Sequence, residues 1–335
     1  MRLTTSERNE YRMKLLKGKD KNGKSAPVAA KTAAAPIAGK PRLLLIINPV
    51  SGKLRARASM FDIIGQLSAA GFETTVALTE YRGHARELSA GAAAAGYVRI
   101  VCCGGDGTLN EVISGVISSG TAMPIGYIPA GSTNDFAASL GIPTADLAAA
   151  AAAAAGDGSI TLDIGRFGSD RYFTYIASFG AFTAASYSAP QNVKNNMGYM
   201  AYVIEGIKEF FRIKPIKVSC DSGEHVYRGD YVFGGVTNSM SVGGLVKLKG
   251  DVVKLDDGLF EVVLIKRPKN VDEFNQIVQA LLTSNLNCKM IDFFRASSVR
   301  FKLPADTPWT LDGERAECGG KVEISVIHNA IKLKK

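Results

Sequence analysis

Residues 97–116, YVRIVCCGGDGTLNEVISGV, carry the reading on which the fold turns. Tyr97 to Cys103 reads as a strand buried on both faces. Leu109, Val112, Ile113 and Val116 then recur at helical spacing, so a helix follows. Between them stands Gly104-Gly105-Asp106-Gly107-Thr108. Three glycines let backbone approach a bulky anion closely, and the helix start offers unpaired N–H groups and a positive dipole end. Asp106 would repel a bare phosphate, so its presence makes sense where it handles Mg2+, a water or an incoming hydroxyl. Taken alone, the segment reads equally well as a tight turn with a helix-capping Asp.

The pattern repeats on either side. Leu43 to Ile47 is a continuous apolar run ended by Asn48-Pro49-Val50-Ser51-Gly52-Lys53, and Leu54 to Ala70 places Met60, Ile63, Ile64 and Leu67 on one helical face. Phe72 to Leu78 alternates as a strand, with Thr79 at its end, and His84 to Ala95 is helix-compatible. Pro124 to Pro129 gives a fourth strand, followed by Ala130-Gly131-Ser132-Thr133-Asn134-Asp135-Phe136 and a helix to Leu140. Alternation of this kind predicts parallel strands with helices on both faces, and ligands beyond the carboxyl ends of the strands. Four strand ends thus bring glycines, hydroxyls and amides to one edge, which points to a nucleotide site.

From about Ile160 the character changes to short, turn-punctuated segments: Tyr172 to Ile176, Tyr227 to Phe233, Phe260 to Ile265 and Val322 to Val326. These predict antiparallel strands, with one helical interruption from Met197 to Phe211. The fold class expected is α/β plus all-β.

The chain has 335 residues and a formal charge of +9, but residues 1–42 hold eleven Lys or Arg against Glu7, Glu10 and Asp20. The remainder is nearly neutral, which argues against a broad nucleic-acid-binding face and for a basic arm on a neutral body. Such an arm favours anionic lipid heads by about 1 kcal/mol per basic residue near the surface, although a solvated disordered extension is the simpler account. Residues 25–41 read as a linker. Cys102, Cys103, Cys220, Cys288 and Cys318 show no C-x-x-C spacing, so reduced thiols in a cytoplasm are the simple account. His84, His225 and His328 stand alone, so neither a His-based metal cage nor a Ser-His-Asp triad has support. The N-terminus lacks the apolar segment of a secretory signal, and no stretch reaches the roughly 18 to 20 apolar residues of a membrane span. Any membrane contact is expected to be peripheral, at the inner face. A homodimer is compatible with the sequence.

On LLLIINPVSGK from Leu43, GGDGTLNEV from Gly104, IPAGSTNDFAASLGIP from Ile128, LDDGLFEVVLI from Leu255 and TLDGE from Thr310, the chain resembles the diacylglycerol kinase catalytic-domain family, which also contains sphingosine and ceramide kinases. The motifs span residues 43–314 in order. GGDGT alone is shared with NAD kinases; its combination with TNDFA and DGE is specific.

The resemblance implies a NAD-kinase-like ATP-binding α/β domain over 43–157 with a return near 325–335. A β-sandwich lipid-substrate domain over 158–324 would follow, with the active site in the cleft between them. It places Asn48, Pro49, Ser51, Gly52, Thr79, Gly104, Gly105, Asp106, Gly107, Thr108, Asn110 and Ser132 where the family contacts ATP, with Asn134 and Asp135 beside Ser132. Glu314 takes the place of the general base. Lys254, Asp257 and Leu259 match a structural Mg2+ site built from backbone oxygens and one carboxylate. Two departures stand out: Ser132 replaces the usual Thr, which keeps the hydroxyl, and Lys249-Gly250-Asp251-Val252-Val253 replaces a Pro-Asp-Ala-like loop, which puts the structural metal in question.

The residues agree with those roles. Phosphoryl transfer needs positioning and charge neutralisation more than covalent machinery, and a lipid hydroxyl needs a carboxylate to take its proton. Glu314 is assigned as base, Asp106 as organiser of metal or phosphate and Asp312 as support, with ATP as donor and a Mg2+ that arrives with it. Locally, Asp312-Gly313 reads as a hairpin turn. The acceptor expected is diacylglycerol; sphingosine, ceramide, monoacylglycerol and undecaprenol present the same hydroxyl. A kinase of a soluble substrate such as NAD would need a second Asn-Glu motif that nothing after Asn110-Glu111 supplies.

Overall fold

Strands β1 (Arg42–Ile47), β2 (Glu73–Leu78), β3 (Arg99–Gly104) and β4 (Ile125–Pro129) pair in parallel in the order β2-β1-β3-β4. In this computed structural model residues 39–132, 134–181, 213–238, 241–242, 246–247 and 254–335 are described. Residues 1–38 of the basic arm, the expected helix Met197–Phe211, Thr133 and the 249–253 loop lie outside them. Gly39–Lys335 forms one compact unit.

The continuous apolar runs of β1 and β3 exist because both faces of the sheet are covered. Leu44, Ile46, Ile100 and Cys102 pack on one side with Leu109, Val112, Ile113 and Val116 of helix Asp106–Ser119. Leu43, Leu45, Ile47, Val101 and Cys103 pack on the other with Ile63 and Leu67 of helix Met60–Ala69 and Ala150, Ala151 and Ala154 of helix Leu147–Ala155. Each fully buried Leu or Ile contributes roughly 1.5 to 3 kcal/mol. Neighbouring Cys102 and Cys103 thereby face opposite cores, and burial pushes the Cys103 thiol up to about 12. The expected single helix over 54–70 is broken into a 3-10 turn Ser51–Leu54, a short helix Arg55–Ala58 and helix Met60–Ala69. Arg55 donates to the carbonyls of Thr144 and Ala145, fixing the second of these pieces against another loop.

Downstream come β5 (Ser159–Phe167), β6 (Arg171–Phe173), β7 (Ile176–Gly180), β8 (Ile216–Asp221), β9 (Val226–Thr237), β10 (Ser241–Val242) and β11 (Val246–Lys247). They are followed by β12 (Phe260–Lys266), β13 (Ile291–Ala296), β14 (Ser298–Lys302), β15 (Trp309–Leu311), β16 (Glu314–Ala316) and β17 (Lys321–Lys334). Their ladders are antiparallel, around a core in which Trp309 meets Phe167, Phe179 and Phe301 edge-on. Hydrogen bonding does not stop where the parallel strands stop. β17 pairs antiparallel with β14 and β5, shifts register between Ile327 and Ile331, and then runs parallel to β4 at Leu333 and Lys334. The described strands outside the β10–β11 ribbon therefore form one mixed sheet.

Two helices were not expected, Leu147–Ala155 and a longer one downstream. Val271–Thr283 buries Phe274, Ile277 and Ala280 against Val263, Ile265 and Ile291. Its start is fixed by a reciprocal pair: the Glu273 amide donates to Asn270 Oδ1 at 2.9 Å, and the Lys269 amide donates to Glu273 Oε2 at 2.6 Å. No helix among the described residues is long and apolar enough to cross a membrane.

Candidate active site

The loops after β1, β3 and β4 lock into one another through backbone, which explains their glycines. Gly52 has a φ of +51°, and a Cβ there would lie 1.9 Å from the Ala130 carbonyl oxygen. A Cβ on Gly131 would lie 2.6 Å from the Gly105 Cα. Only glycine fits either place without moving a neighbouring chain. The Asn48 amide nitrogen donates to Thr108 Oγ1 at 3.0 Å, and the Ala130 N–H donates to the Gly104 carbonyl at 2.8 Å. Thr79 joins the same edge through its N–H, donated to the Ile47 carbonyl at 2.9 Å. Pro49 and Ser51 are part-exposed and Ser132 is exposed on this edge.

Asn134 faces inward. With φ at +54° and 3 % exposure, it accepts the Gly131 N–H at 2.9 Å and donates to the carbonyls of Pro129 and Gly131, so it shapes the loop. Asp135 opens helix Asp135–Ser139. Asp106 is the first residue of helix Asp106–Ser119, and its Oδ1 accepts the Tyr127 hydroxyl at 3.1 Å. Burial pushes the Tyr127 hydroxyl up, with the Asp106 charge beside it adding to the shift, so this group stays a donor.

The second half of the site is a hub built on Asp312. Asp312 and Gly313 have φ of +48° and +89° and join β15 to β16 with Leu311 opposite Glu314, the two-residue hairpin that Asp-Gly favours. The Asp312 carboxylate accepts the amides of Thr174, Tyr175 and Ile176 at 2.6, 3.0 and 3.0 Å, and the Thr174 hydroxyl at 2.7 Å. Those amides cannot serve a ladder as well, which is why the single strand expected over Tyr172–Ile176 appears as β6 and β7 with a break at Thr174–Tyr175. Burial pushes the Asp312 carboxyl up from its ordinary value, against the donations from Thr174, Ile176 and Tyr175. Asn110 Nδ2 also donates to Asp312 Oδ2, at 3.0 Å, and to the Tyr172 carbonyl. The helix that begins at the glycine loop is thereby tied to the hairpin. Asn110 spends its amide on that tie.

Glu314, two residues past Asp312, is carried onto the helix start. A Cβ on Gly107 would lie 3.5 Å from Glu314 Oε1, while Oε2 accepts Arg82 Nη2 at 2.6 Å. The pair is exposed, 76 % and 46 % for the two side chains, so it holds Glu314 weakly. Arg82 follows Thr79 in the turn before helix His84–Gly91 and belongs to no motif, so spacing alone gave no sign of it. Tyr127, inside an apolar strand, gave none either.

The residues matched to a structural metal are placed differently. Asp257 Oδ1 accepts the Leu259 amide at 3.1 Å, and Oδ2 is taken by the Arg295 guanidinium, which also reaches Glu261. A cation bound by the Asp257 carboxylate would compete with the Arg295 guanidinium. The fully buried Asp163 fastens the same loop: its carboxylate accepts the Gly258 amide at 2.6 Å and the Asn329 amide at 2.7 Å.

Residues 42–167 match the family model described as the diacylglycerol kinase catalytic domain. Among curated relatives, a diacylglycerol kinase of Bacillus subtilis (strain 168) is 32 % identical over 274 residues, 82 % of this chain and 89 % of the relative. One of Staphylococcus saprophyticus is 33 % identical over 284 residues, 84 % and 90 % of the two chains. A solved structure described as a diacylglycerol kinase from Bacillus anthracis str. Sterne superposes with a TM-score of 0.66 at 20 % identity, covering 89 % of this chain and 98 % of that one.

Proposed function

Because this chain belongs to the diacylglycerol kinase catalytic-domain family, and is thus a phosphotransferase acting on an alcohol with ATP as donor, we propose that its acceptor is diacylglycerol and its product phosphatidic acid. The observation that carries the reading is the position of Glu314. A carboxylate from a hairpin two hundred residues downstream stands beside the first turn of helix Asp106–Ser119. That turn presents amides and a positive dipole end to the transferred phosphate, and the carboxylate is the group that takes the proton of an attacking hydroxyl.

In this reading ATP lies along the interlocked loops after β1, β3 and β4, its phosphates directed at Gly105 to Thr108. The nucleotide-binding and β-rich regions act as two domains with the reaction in the cleft between them. Asp106 is the carboxylate suited to the Mg2+ that accompanies the nucleotide, an ion that neutralises charge on the phosphates when bound. Asp312 acts through position: it holds the hairpin and Asn110 together and so fixes where Glu314 stands. The basic arm of residues 1–42 brings the protein to an anionic membrane surface.

The test is transfer of labelled γ-phosphate from Mg-ATP to dispersed diacylglycerol, monoacylglycerol, sphingosine and ceramide and to free NAD, with Glu314→Ala in parallel. Label in diacylglycerol that is lost in the variant is the expected result. Label in another lipid replaces the acceptor; label in NAD alone overturns the proposal.

A further inference from the structure

Beside Glu314 lies a pocket of about 370 Å3 whose walls include Arg82, Arg86, Asn110, Ser114, Arg171 and Glu314. Asn110 and Ser114 follow Gly107 on helix Asp106–Ser119. At 1.5 Å per residue the pocket reaches about 10 Å along the helix from its phosphate-facing turn. It adjoins the reacting centre through Glu314, its ion-pair partner Arg82 and Asn110, and extends from there along the helix.

Three guanidinium groups line it, and their partners leave them available. Arg86 Nη2 donates to the Ser118 hydroxyl at 3.2 Å, and Arg171 donates to the Arg315 carbonyl at 3.2 and 3.3 Å. Neither meets a carboxylate among the described residues. Among the described residues Arg82 meets Glu314 in an exposed pair that holds it weakly. Two further carboxylates line it: Glu111, which accepts the Gly83 amide at 2.8 Å, and the exposed Asp170, which accepts from Ser169. A guanidinium fork matches phosphate oxygens two at a time, and a wall of this polarity does not suit an acyl chain.

We propose that this pocket binds a phosphomonoester on the acceptor side of Glu314, through Arg86 and Arg171, with Arg82 turning to it when Glu314 engages a hydroxyl. The inference rests on the reading of Glu314 as the group that faces the acceptor. The ligand chemistry is a phosphate dianion on a small polar head, either the headgroup of a lipid product molecule that has left the reacting centre or free inorganic phosphate.

The experiment uses the full chain with saturating Mg-ADP, so that the glycine loop is filled. A water-soluble short-chain phosphatidic acid and, separately, inorganic phosphate are titrated by calorimetry. The expected result is saturable binding of the lipid phosphomonoester that weakens about tenfold or more in Arg86→Ala/Arg171→Ala, the scale of losing a hydrogen bond to a charged group, with ADP affinity unchanged. Tighter binding of the lipid probe than of inorganic phosphate assigns the headgroup; equal binding assigns free phosphate. Equal affinities in wild type and double variant, or no binding of either probe, overturn the proposal. Should the alanine pair fail to melt as a folded protein, Arg86→Lys/Arg171→Lys keeps the charge and loses the fork. A smaller but measurable weakening is then expected, and none would overturn the proposal. Arginine-dependent binding in a chain that phosphorylates no lipid would leave the pocket standing and remove the lipid-kinase reading. Lipid phosphorylation with arginine-independent product affinity would do the reverse.

Discussion

The strand-end edge and the Asp312 hub do the same job, holding chemical groups in place, with opposite materials. At the edge, Gly52, Gly105 and Gly131 let three loops touch backbone to backbone, and the polar side chains Asn48, Thr108 and Asn134 are spent on that packing. At the hub, one carboxylate collects the amides of Thr174, Tyr175 and Ile176 and the side chain of Asn110 across more than a hundred residues of sequence. The edge is specified by what it lacks, side-chain volume. The hub is specified by a single charge whose removal leaves buried donors with nothing to meet. The difference predicts that the edge fails by crowding and the hub by desolvation.

The largest effect is expected at the hub. Asp312→Ala leaves the amides of Thr174, Tyr175 and Ile176 without an acceptor, at about 1 to 3 kcal/mol each. A loss of roughly 3 to 5 kcal/mol of stability in denaturant unfolding, together with activity, is expected; a loss under 1 kcal/mol would mean that the hub holds nothing.

Glu261 sharpens the comparison, because it is a buried carboxyl with poorer company. It is 0 % exposed, Arg295 reaches Oε1 at 3.2 Å, and Oε2 has no partner. Burial raises its carboxyl from 4.5 to about 7. The folded state thus holds its proton to higher pH than the unfolded chain does. Glu261 stabilises most below pH 4.5, and this contribution falls as pH rises through about 7, by up to about 3 kcal/mol. Thermal melts of wild type and Glu261→Gln should diverge in slope between about pH 4.5 and 7, the variant being the flatter. Parallel curves would show that Arg295 keeps the carboxylate charged throughout.

The edge should respond less in stability and more in ligand binding. Gly52→Ala puts a methyl against the Ala130 carbonyl in a left-handed backbone, costing roughly 1 to 3 kcal/mol as overpacking does and weakening nucleotide about tenfold or more. Nucleotide affinity at the wild-type level would break the claim that these loops must touch.

This contrast also sets what the sequence could tell. β1, β3, β4 and the helix after Gly104 were legible because each carries its own period and its own glycine punctuation. The strand-end residues from Asn48 to Asp135 were legible as one edge for the same reason. The hub was not. Asp312 was read as a supporting acid on a hairpin turn, yet its bonds to Thr174, Tyr175 and Ile176 split a strand, and no local pattern announces a contact so distant in sequence. Helix Val271–Thr283 was missed for a different reason: Phe274, Ile277 and Ala280 with the Asn270 and Glu273 pair were there to be seen, but the surrounding alternation suggested strands. Arg82, Arg86 and Arg171 sit in unremarkable polar stretches and acquire meaning only when the turn after β2, helix Asp106–Ser119 and β6 come together.

The claim that joins both regions is that the hub delivers Glu314 to a nucleotide site it does not itself build. Nucleotide affinity and turnover measured on one preparation of Glu314→Ala test it most directly. The account predicts an unchanged affinity for Mg-ATP with turnover lowered about a hundredfold or more, the scale of losing a positioned proton acceptor. Turnover within a few-fold of wild type, or a loss of nucleotide affinity that accounts for the whole defect, would contradict it.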